Sequence, residues 1–137
     1  MTDYMTKILG IIGSPRINGN THILVNKVLD GARSQCAETD SIFLSDYTIK
    51  ECDGCHVCWK GQECAKQDDM NGFYQKIIDS DILVFGTPVY WYAPTAIMKA
   101  FIDRFVYFNC PENREKIRGE KQQLLQYLLK MMTIGLL

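Results

Sequence analysis

Cys52, Cys55, Cys58 and Cys64 follow one another as C-x2-C-x2-C-x5-C, which places four of the chain's six cysteines in one short stretch. Thiolates at this spacing can turn onto a common centre, and four of them are the usual ligand set of a [4Fe–4S] cluster. A tetrahedral zinc site, with His56 replacing one cysteine, would use the same donors. A loop of reduced thiols, empty or active in thiol redox chemistry, is the third reading. All three stay open on spacing alone. Cys36 and Cys110 stand apart and read as packing residues, while His56 and Trp59 suit shielding and contact roles within the loop.

A second candidate is Gly13-Ser14-Pro15-Arg16-Ile17-Asn18-Gly19-Asn20-Thr21, which lies between an apolar run and a helical pattern. A helix start offers free N–H groups and the positive end of a dipole, and both favour a phosphate. Ser14 and Thr21 can donate hydroxyls, and Arg16 adds charge and a donor fork. The spacing is neither Gly-x-Gly-x-x-Gly nor a Walker loop, for no Gly-Lys-Ser/Thr follows. The plainer alternative is a strand-to-helix connection capped by Asn20.

The third candidate, Gly86-Thr87-Pro88-Val89-Tyr90-Trp91-Tyr92-Ala93-Pro94, joins three aromatics to two stiffening prolines and a hydroxyl. A flat heteroaromatic ring needs such a wall of apolar faces with backbone amides at its polar edge. Core or subunit-interface packing would also use these aromatics.

The elements that must position these loops follow from periodicity. Lys7–Gly13 is almost continuously apolar, as in a strand covered on both faces. From Asn20 to about Ala37, Ile23, Leu24, Val28, Leu29 and Ala32 recur at helical spacing. Ser41–Leu44 reads as a second strand. Asp68 or Asp69 can cap a helix to about Ile78, with Phe73, Tyr74, Ile77 and Ile78 inward. Asp81–Gly86 reads as a third buried strand, and Pro94 suits the first turn of a helix through Ala96, Ile97, Ala100, Phe101 and Phe105. The order β-α-β-α-β-α predicts an α/β fold with a doubly wound parallel sheet. Ligands of such a sheet gather at the carboxyl ends of its strands, where the first and third loops emerge.

The chain's 137 residues suit one domain, with 47% apolar and 23% charged residues. A formal charge of −1 leaves no electrostatic footprint for nucleic acid or an anionic membrane. Met1–Thr6 is polar, the apolar run after it is short, and no stretch nears the roughly 20 apolar residues of a membrane helix. The expectation is a cytoplasmic protein with reduced cysteines.

Taken together, Gly13-Ser14-Pro15-Arg16, Gly19-Asn20-Thr21 and Gly86-Thr87-Pro88-Val89-Tyr90-Trp91 resemble the NAD(P)H-dependent FMN reductases of the flavodoxin-like superfamily. The cysteine loop between them resembles that of the iron-sulfur flavoproteins, and the likeness runs from about Lys7 to Glu120. It implies that Ser14, Arg16, Asn20 and Thr21 hold the FMN phosphate and that Thr87, Pro88, Val89, Tyr90 and Trp91 meet the isoalloxazine ring. It implies hydride transfer from NAD(P)H to the flavin and onward to a quinone, nitroaromatic, flavin or similar acceptor, with no protein acid or base required. It also implies a homo-oligomer with the flavin near a subunit boundary. If Cys52, Cys55, Cys58 and Cys64 carry a cluster, the protein would instead exchange single electrons with a ferredoxin-like partner.

The tail departs from this pattern. Residues 1–120 read as a flavodoxin-like FMN-binding domain, incomplete at its C-terminus, and residues 121–137 as an atypical helical tail. Leu124, Leu125, Tyr127, Leu128, Leu129, Met131 and Met132 surround that helix instead of forming a stripe, so it must be buried or paired. Five strands are expected of the fold and three are found. Read one base out of frame, the codons around Gln122–Met132 can encode a buried strand leading into an acidic loop. The expectation is a frameshift that replaced the last two strands, leaving the third strand an open edge and an inactive fragment as a further functional outcome.

Overall fold

Side chains alternate along a strand, and along the first strand this alternation separates two helical layers. The computed structural model describes residues 4–117. Strands β1 (Lys7–Ile12), β2 (Glu38–Phe43) and β3 (Ile82–Gly86) are parallel, in the order β2-β1-β3. Ile8 pairs with Thr39 on one side and Ile82 on the other. Helix α1 (Asn20–Arg33) links β1 to β2, and α2 (Met70–Asp79) lies between β2 and β3.

Ile12 packs with Val25 and Leu29 of α1 on one face, joined by Ile8, Phe43 and Val84. Leu9 and Ile11 join Ile42, Phe73, Ile77 and Phe101 on the other. Gly10 brings α1 close, since a Cβ there would lie 3.0 Å from both Val25 Cγ1 and Leu29 Cδ1. The doubly wound sheet expected from the sequence is therefore present, with helices on both faces.

After β3 the chain forms a small antiparallel hairpin, β4 (Val89–Tyr90) and β5 (Ala93–Pro94). Helix α3 (Ala96–Asp103), a 3-10 run Arg104–Asn109 and the short α4 (Pro111–Arg114) complete the described chain. No helix among the described residues is long and apolar enough to cross a membrane. The tail from residue 121, with the frameshift expected for it, lies outside the described residues.

Several sequence expectations are corrected. Pro94 is in β5, opposite Val89, and not in the first turn of α3. Thr95 caps that helix instead, its hydroxyl oxygen accepting from Met98 N–H at 3.3 Å. On α1 the buried residues are Val25 and Leu29, whereas Ile23, Leu24 and Val28 are exposed. Strand β3 is not fully buried: Ile82 is exposed and Leu83 to Gly86 are half-buried, since β1 is its one strand partner among the described residues. Cys36 is exposed, with positive φ just beyond α1, so packing does not explain it. Cys110 is buried as expected, and its sulfur accepts from Asn113 N–H at the start of α4.

Candidate functional site

The first loop begins where β1 and β3 end side by side. Gly13 N–H donates to the Gly86 carbonyl at 2.8 Å. A Cβ at Gly13 would lie 2.7 Å from Met98 Cβ, so only glycine admits α3 this close. Ser14 is buried, and its hydroxyl oxygen accepts from Arg16 N–H at 3.2 Å. Ser45, just beyond β2, donates to the Ser14 carbonyl at 2.9 Å. Asn18 takes a left-handed conformation and donates its N–H to His22 Nδ1 at 3.0 Å.

Gly19, not Asn20, is the boundary residue of α1, and no side chain caps it. The first N–H groups of α1, including those of Asn20 and Thr21, thus have no acceptor within the helix. That is the donor set an anion needs, with the positive end of the helix dipole behind it. Arg16 stands exposed beside it, and a Cβ at Gly19 would meet Arg16 Cβ at 3.1 Å. Ser14, Arg16, Asn20 and Thr21 are therefore brought together around one helix start, an arrangement that fits a phosphate.

Thr95 joins this loop to the aromatic one. Its hydroxyl donates to the Gly13 carbonyl at 2.6 Å, and its N–H donates to Thr87 Oγ1 at 3.1 Å. Thr87 in turn donates to the Pro88 carbonyl. Close by, Gly86 lets α1 touch β3, since a Cβ there would stand 2.3 Å from Val25 Cγ2. Thr95 was not among the residues expected from sequence; a Thr three residues before Met98 at a helix start is the signal that could have found it.

The hairpin projects its aromatics outward. Trp91 and Tyr92 are 92% and 93% exposed and meet edge to face. Val89 and Tyr90 are also exposed, while Thr87 and Pro88 are half-buried. Core packing of Trp91 is thereby excluded. Both turn residues have positive φ, at 46° and 64°. A two-residue hairpin turn of this kind favours Asn-Gly, and bulky residues held there cost on the order of 1 kcal/mol or more each. The strained turn thus holds two exposed aromatic rings at the end of the hairpin.

The cysteine loop leaves the same edge after β2. Cys58 is buried, Cys52 and Cys64 are half-buried, and Cys55 is exposed. All four line one cavity of about 20 Å³, room for about one water. Among the described residues no three His, Cys, Asp or Glu side chains converge closely enough to hold a metal ion. Burial raises the Cys58 thiol's pKa, and the neighbouring Cys64, Cys110 and Cys52 push the same way. His56 lies against Trp59, with ring centroids 4.4 Å apart, a contact of the kind expected for both.

The loop is fastened to α2 and α3 by a buried ion pair that sequence reasoning missed. Arg104 Nη1 reaches Asp68 Oδ2 at 2.6 Å, and both side chains are 1% exposed. Asp68 also accepts from Lys50 N–H and Met70 N–H, and Asp69 accepts from Thr48 N–H. Asp69 is thus the boundary residue of α2, but its side chain turns to Thr48, and it is Asp68, one residue earlier, that accepts from the first helical N–H. Burial pushes the Asp68 carboxyl up, but the Arg104 guanidinium and the two N–H donors outweigh it and hold its pKa below the usual range. Tyr74 closes the inner wall of the cavity, and burial pushes its phenol well above the ordinary value, so it stays a neutral donor. Four free thiols are the right residue types for a cluster, but they do not converge and the cavity between them is too small, so the arrangement described does not fit one.

Comparison with known proteins places the chain in a family. Residues 6–130 match the sequence model of the family described as NADPH-dependent FMN reductase. An iron-sulfur flavoprotein of Methanocaldococcus jannaschii is 36% identical over 98 residues, covering 72% of this chain and 51% of the relative. One of Archaeoglobus fulgidus is 40% identical over 98 residues, covering 72% and 48%. A solved structure named flavone reductase superposes with a TM-score of 0.58 at 30% identity, over 73% of this chain and 30% of that one. The chain spans about half the length of the curated relatives it matches. With its parallel sheet, uncapped helix start and aromatic loop in the matching order, this chain belongs to the NADPH-dependent FMN reductase family and has its flavodoxin-like fold.

Proposed function

We propose that the protein is an FMN-dependent NAD(P)H oxidoreductase that passes electrons from NAD(P)H through FMN to a quinone, flavin or similar small acceptor. The observation that carries this reading is Thr95, which hydrogen-bonds Gly13 of the first loop and Thr87 of the aromatic loop at once. A phosphate-binding helix start and an aromatic wall are thereby held at one fixed separation, as a phosphorylated flat cofactor requires. Bound FMN would supply the hydride and electron chemistry. Ser14, Arg16, Asn20 and Thr21 would hold its phosphate, while Thr87, Pro88, Val89, Tyr90 and Trp91 would orient its ring. The exposed, strained Trp91-Tyr92 turn favours a homo-oligomer in which a second copy covers that edge. The place of action is the cytoplasm.

The test is reconstitution of the full chain with FMN, followed by visible spectroscopy and NAD(P)H oxidation with a quinone acceptor. Quenched flavin fluorescence together with acceptor-dependent NAD(P)H loss supports the reading. A chain that folds yet leaves FMN free overturns it in favour of an inactive fragment, which the half-length coverage of the relatives makes a concrete outcome.

A second reading is favoured by the four thiols on one cavity and by the relatives' names. In it, Cys52, Cys55, Cys58 and Cys64 hold a [4Fe–4S] cluster, and the protein exchanges single electrons with a ferredoxin-like partner. Iron and sulfide analysis of anaerobically prepared protein separates the two: about four of each per chain for the cluster, none for the reductase alone.

A further inference from the structure

A side chain outside the first loop holds that loop in shape. Asn18 N–H donates to His22 Nδ1 at 3.0 Å, from the loop across to α1. Asn18 is left-handed, with φ at 59°, a conformation that a residue other than glycine keeps only where its surroundings fix it. The bonds beside it are backbone ones. Gly19 N–H donates back to the Arg16 carbonyl at 3.3 Å, and the Gly19 carbonyl accepts the first helical bond, from Ile23 N–H at 3.0 Å. The imidazole is anchored in turn on the sheet, its ring centroid 5.5 Å from that of Phe43 at the end of β2. His22 thus ties the loop's turn to a strand, and the N–H groups of Asn20 and Thr21 are left for an anion.

The bond fixes the form of the ring in which it can exist. A backbone N–H only donates, so Nδ1 must accept, and the imidazole must be neutral with its proton on Nε2. Protonation puts a second hydrogen where the Asn18 N–H points, and the tie is lost. We propose that neutral His22 is the positioning residue of the FMN phosphate loop. It keeps Asn18 in its left-handed turn, and with it Arg16 and the start of α1 in the arrangement that takes the phosphate; protonated, it lets the loop go, so this chain holds FMN less tightly in acid. This rests on the FMN reading above. The ring faces Asn18 on the loop and Phe43 on β2, neither of which ionises. The first turn of α1 carries no acidic residue, and the charged side chain of the loop is Arg16. None of these would pair with an imidazolium. The phosphate itself is the anion that would, and such a pair has the opposite sign, tighter binding in acid.

The experiment titrates the full chain with FMN and with riboflavin, which has the same ring and no phosphate, following flavin fluorescence between about pH 8 and pH 5, where histidine changes charge. The ratio of the two affinities separates the phosphate loop from the ring contacts. His22→Leu removes the acceptor, whereas His22→Asn sets an amide oxygen where Nδ1 stands and takes up no proton. At the alkaline end, His22→Leu should lower the FMN-to-riboflavin ratio roughly 3- to 10-fold, as for one lost hydrogen bond, with riboflavin affinity unmoved; His22→Asn should keep the parent's ratio. A phosphate monoester gains a proton near about pH 6, a loss common to the parent and His22→Asn. The parent's ratio should fall below that of His22→Asn in acid by the same roughly 3- to 10-fold. An unmoved ratio in His22→Leu, or a parent that gains on His22→Asn in acid, overturns the proposal and leaves the FMN reading standing. A folded parent that does not prefer FMN to riboflavin overturns both. Should His22→Leu fail to fold, the parent and His22→Asn decide alone, and parallel pH profiles are equally fatal to the proposal.

Discussion

Replacing Gly86 by alanine should damage stability and phosphate binding through a single contact. The added methyl would stand 2.3 Å from Val25 Cγ2 and 3.1 Å from Thr21 Cγ2. Carbon atoms separate at about 3.5–4.0 Å, so the overlap with Val25 exceeds an ångström. Val25 cannot rotate aside, because a β-branched side chain in a helix has one strongly preferred χ1 rotamer. The helix must therefore move off β3, and overpacking of this kind costs about 1–3 kcal/mol. Thr21 moves with it, and on the proposed FMN reading the loss of its charge-assisted hydrogen bond to phosphate, worth about 1.5–3 kcal/mol, should weaken FMN binding by roughly tenfold or more. Urea unfolding and FMN fluorescence titration read the two effects separately. Val25→Ala removes the clashing methyl, at a cost of about 1.6 kcal/mol for two buried methyl groups. In the double variant the two costs should then fall short of their sum by at least about 1 kcal/mol. Strict additivity, or a Gly86→Ala protein as stable as the parent, would refute the claim that this contact sets the position of α1.

Three other perturbations reach different parts of the site. Thr95→Val removes the α3 cap and the hydroxyl that bonds Gly13, and should cost about 1–2 kcal/mol in chemical denaturation; Thr95→Ser should recover most of it. The Asp68 carboxyl is held below its unfolded pKa, mainly by Arg104 against the penalty of burial. Its contribution is thus fully present above the unfolded value of about 3.9 and is lost as pH falls through the lower folded value. Thermal melts from pH 6 to pH 2.5 should show that loss in the parent. Asp68→Asn should melt with a shallower acid dependence and, at neutral pH, be about 3–5 kcal/mol less stable, because Arg104 is left buried without its counter-charge. Replacing Trp91 with Asn and Tyr92 with Gly should relieve the left-handed turn and raise stability by about 1 kcal/mol, while weakening FMN retention and self-association in gel filtration. Tighter flavin binding in that variant would show that the exposed rings serve neither.

What was legible in the sequence depended on how local the signal is. Ile8 to Ile12 carries no polar side chain, so β1 could be assigned from composition alone, and α1 and α2 followed from spacing. The inward side of α1 could not be read the same way. Ile23, Leu24, Val28 and Leu29 make a plausible stripe, but Gly10 and Gly86 admit the helix at Val25 and Leu29, a constraint set by strands far away in the chain. The place of the first loop, just before a helix, was legible because Gly19, Asn20 and Thr21 stand there. The Asp68–Arg104 pair was not, because 36 residues separate its partners and neither lies in a recognisable motif. Pro94 misled because a proline before a helix and a proline in an edge strand look alike until Thr95 is seen to cap.

The three loops are coupled through that same pair and two hydroxyls, which bears on why a cysteine loop and a phosphate loop share one sheet edge. Ser45, on the path from β2 to the cysteines, bonds Ser14 of the phosphate loop. Thr95 bonds the phosphate loop to the aromatic one, and Arg104, directly following the α3 helix that Thr95 caps, bonds Lys50 at the entrance to the cysteine loop. Thr95, Ser14 and Arg104 of this circuit are buried, where a hydrogen bond is electrostatically stronger than in water, whereas Ser45 and Lys50 are exposed. A shift in one loop is therefore resisted by the other two. For electrons to move between a flavin and a sulfur centre, the two sites must keep a fixed separation through repeated turnover. Ser45→Ala tests whether this circuit supplies that rigidity: it deletes one exposed hydroxyl and should cost little stability, about 1 kcal/mol or less. It should nevertheless raise hydrogen exchange in both the phosphate loop and the residues leading to Cys52. Faster exchange in the phosphate loop alone would mean that the two loops move independently, and that their common edge follows from the order of the strands and not from a built connection.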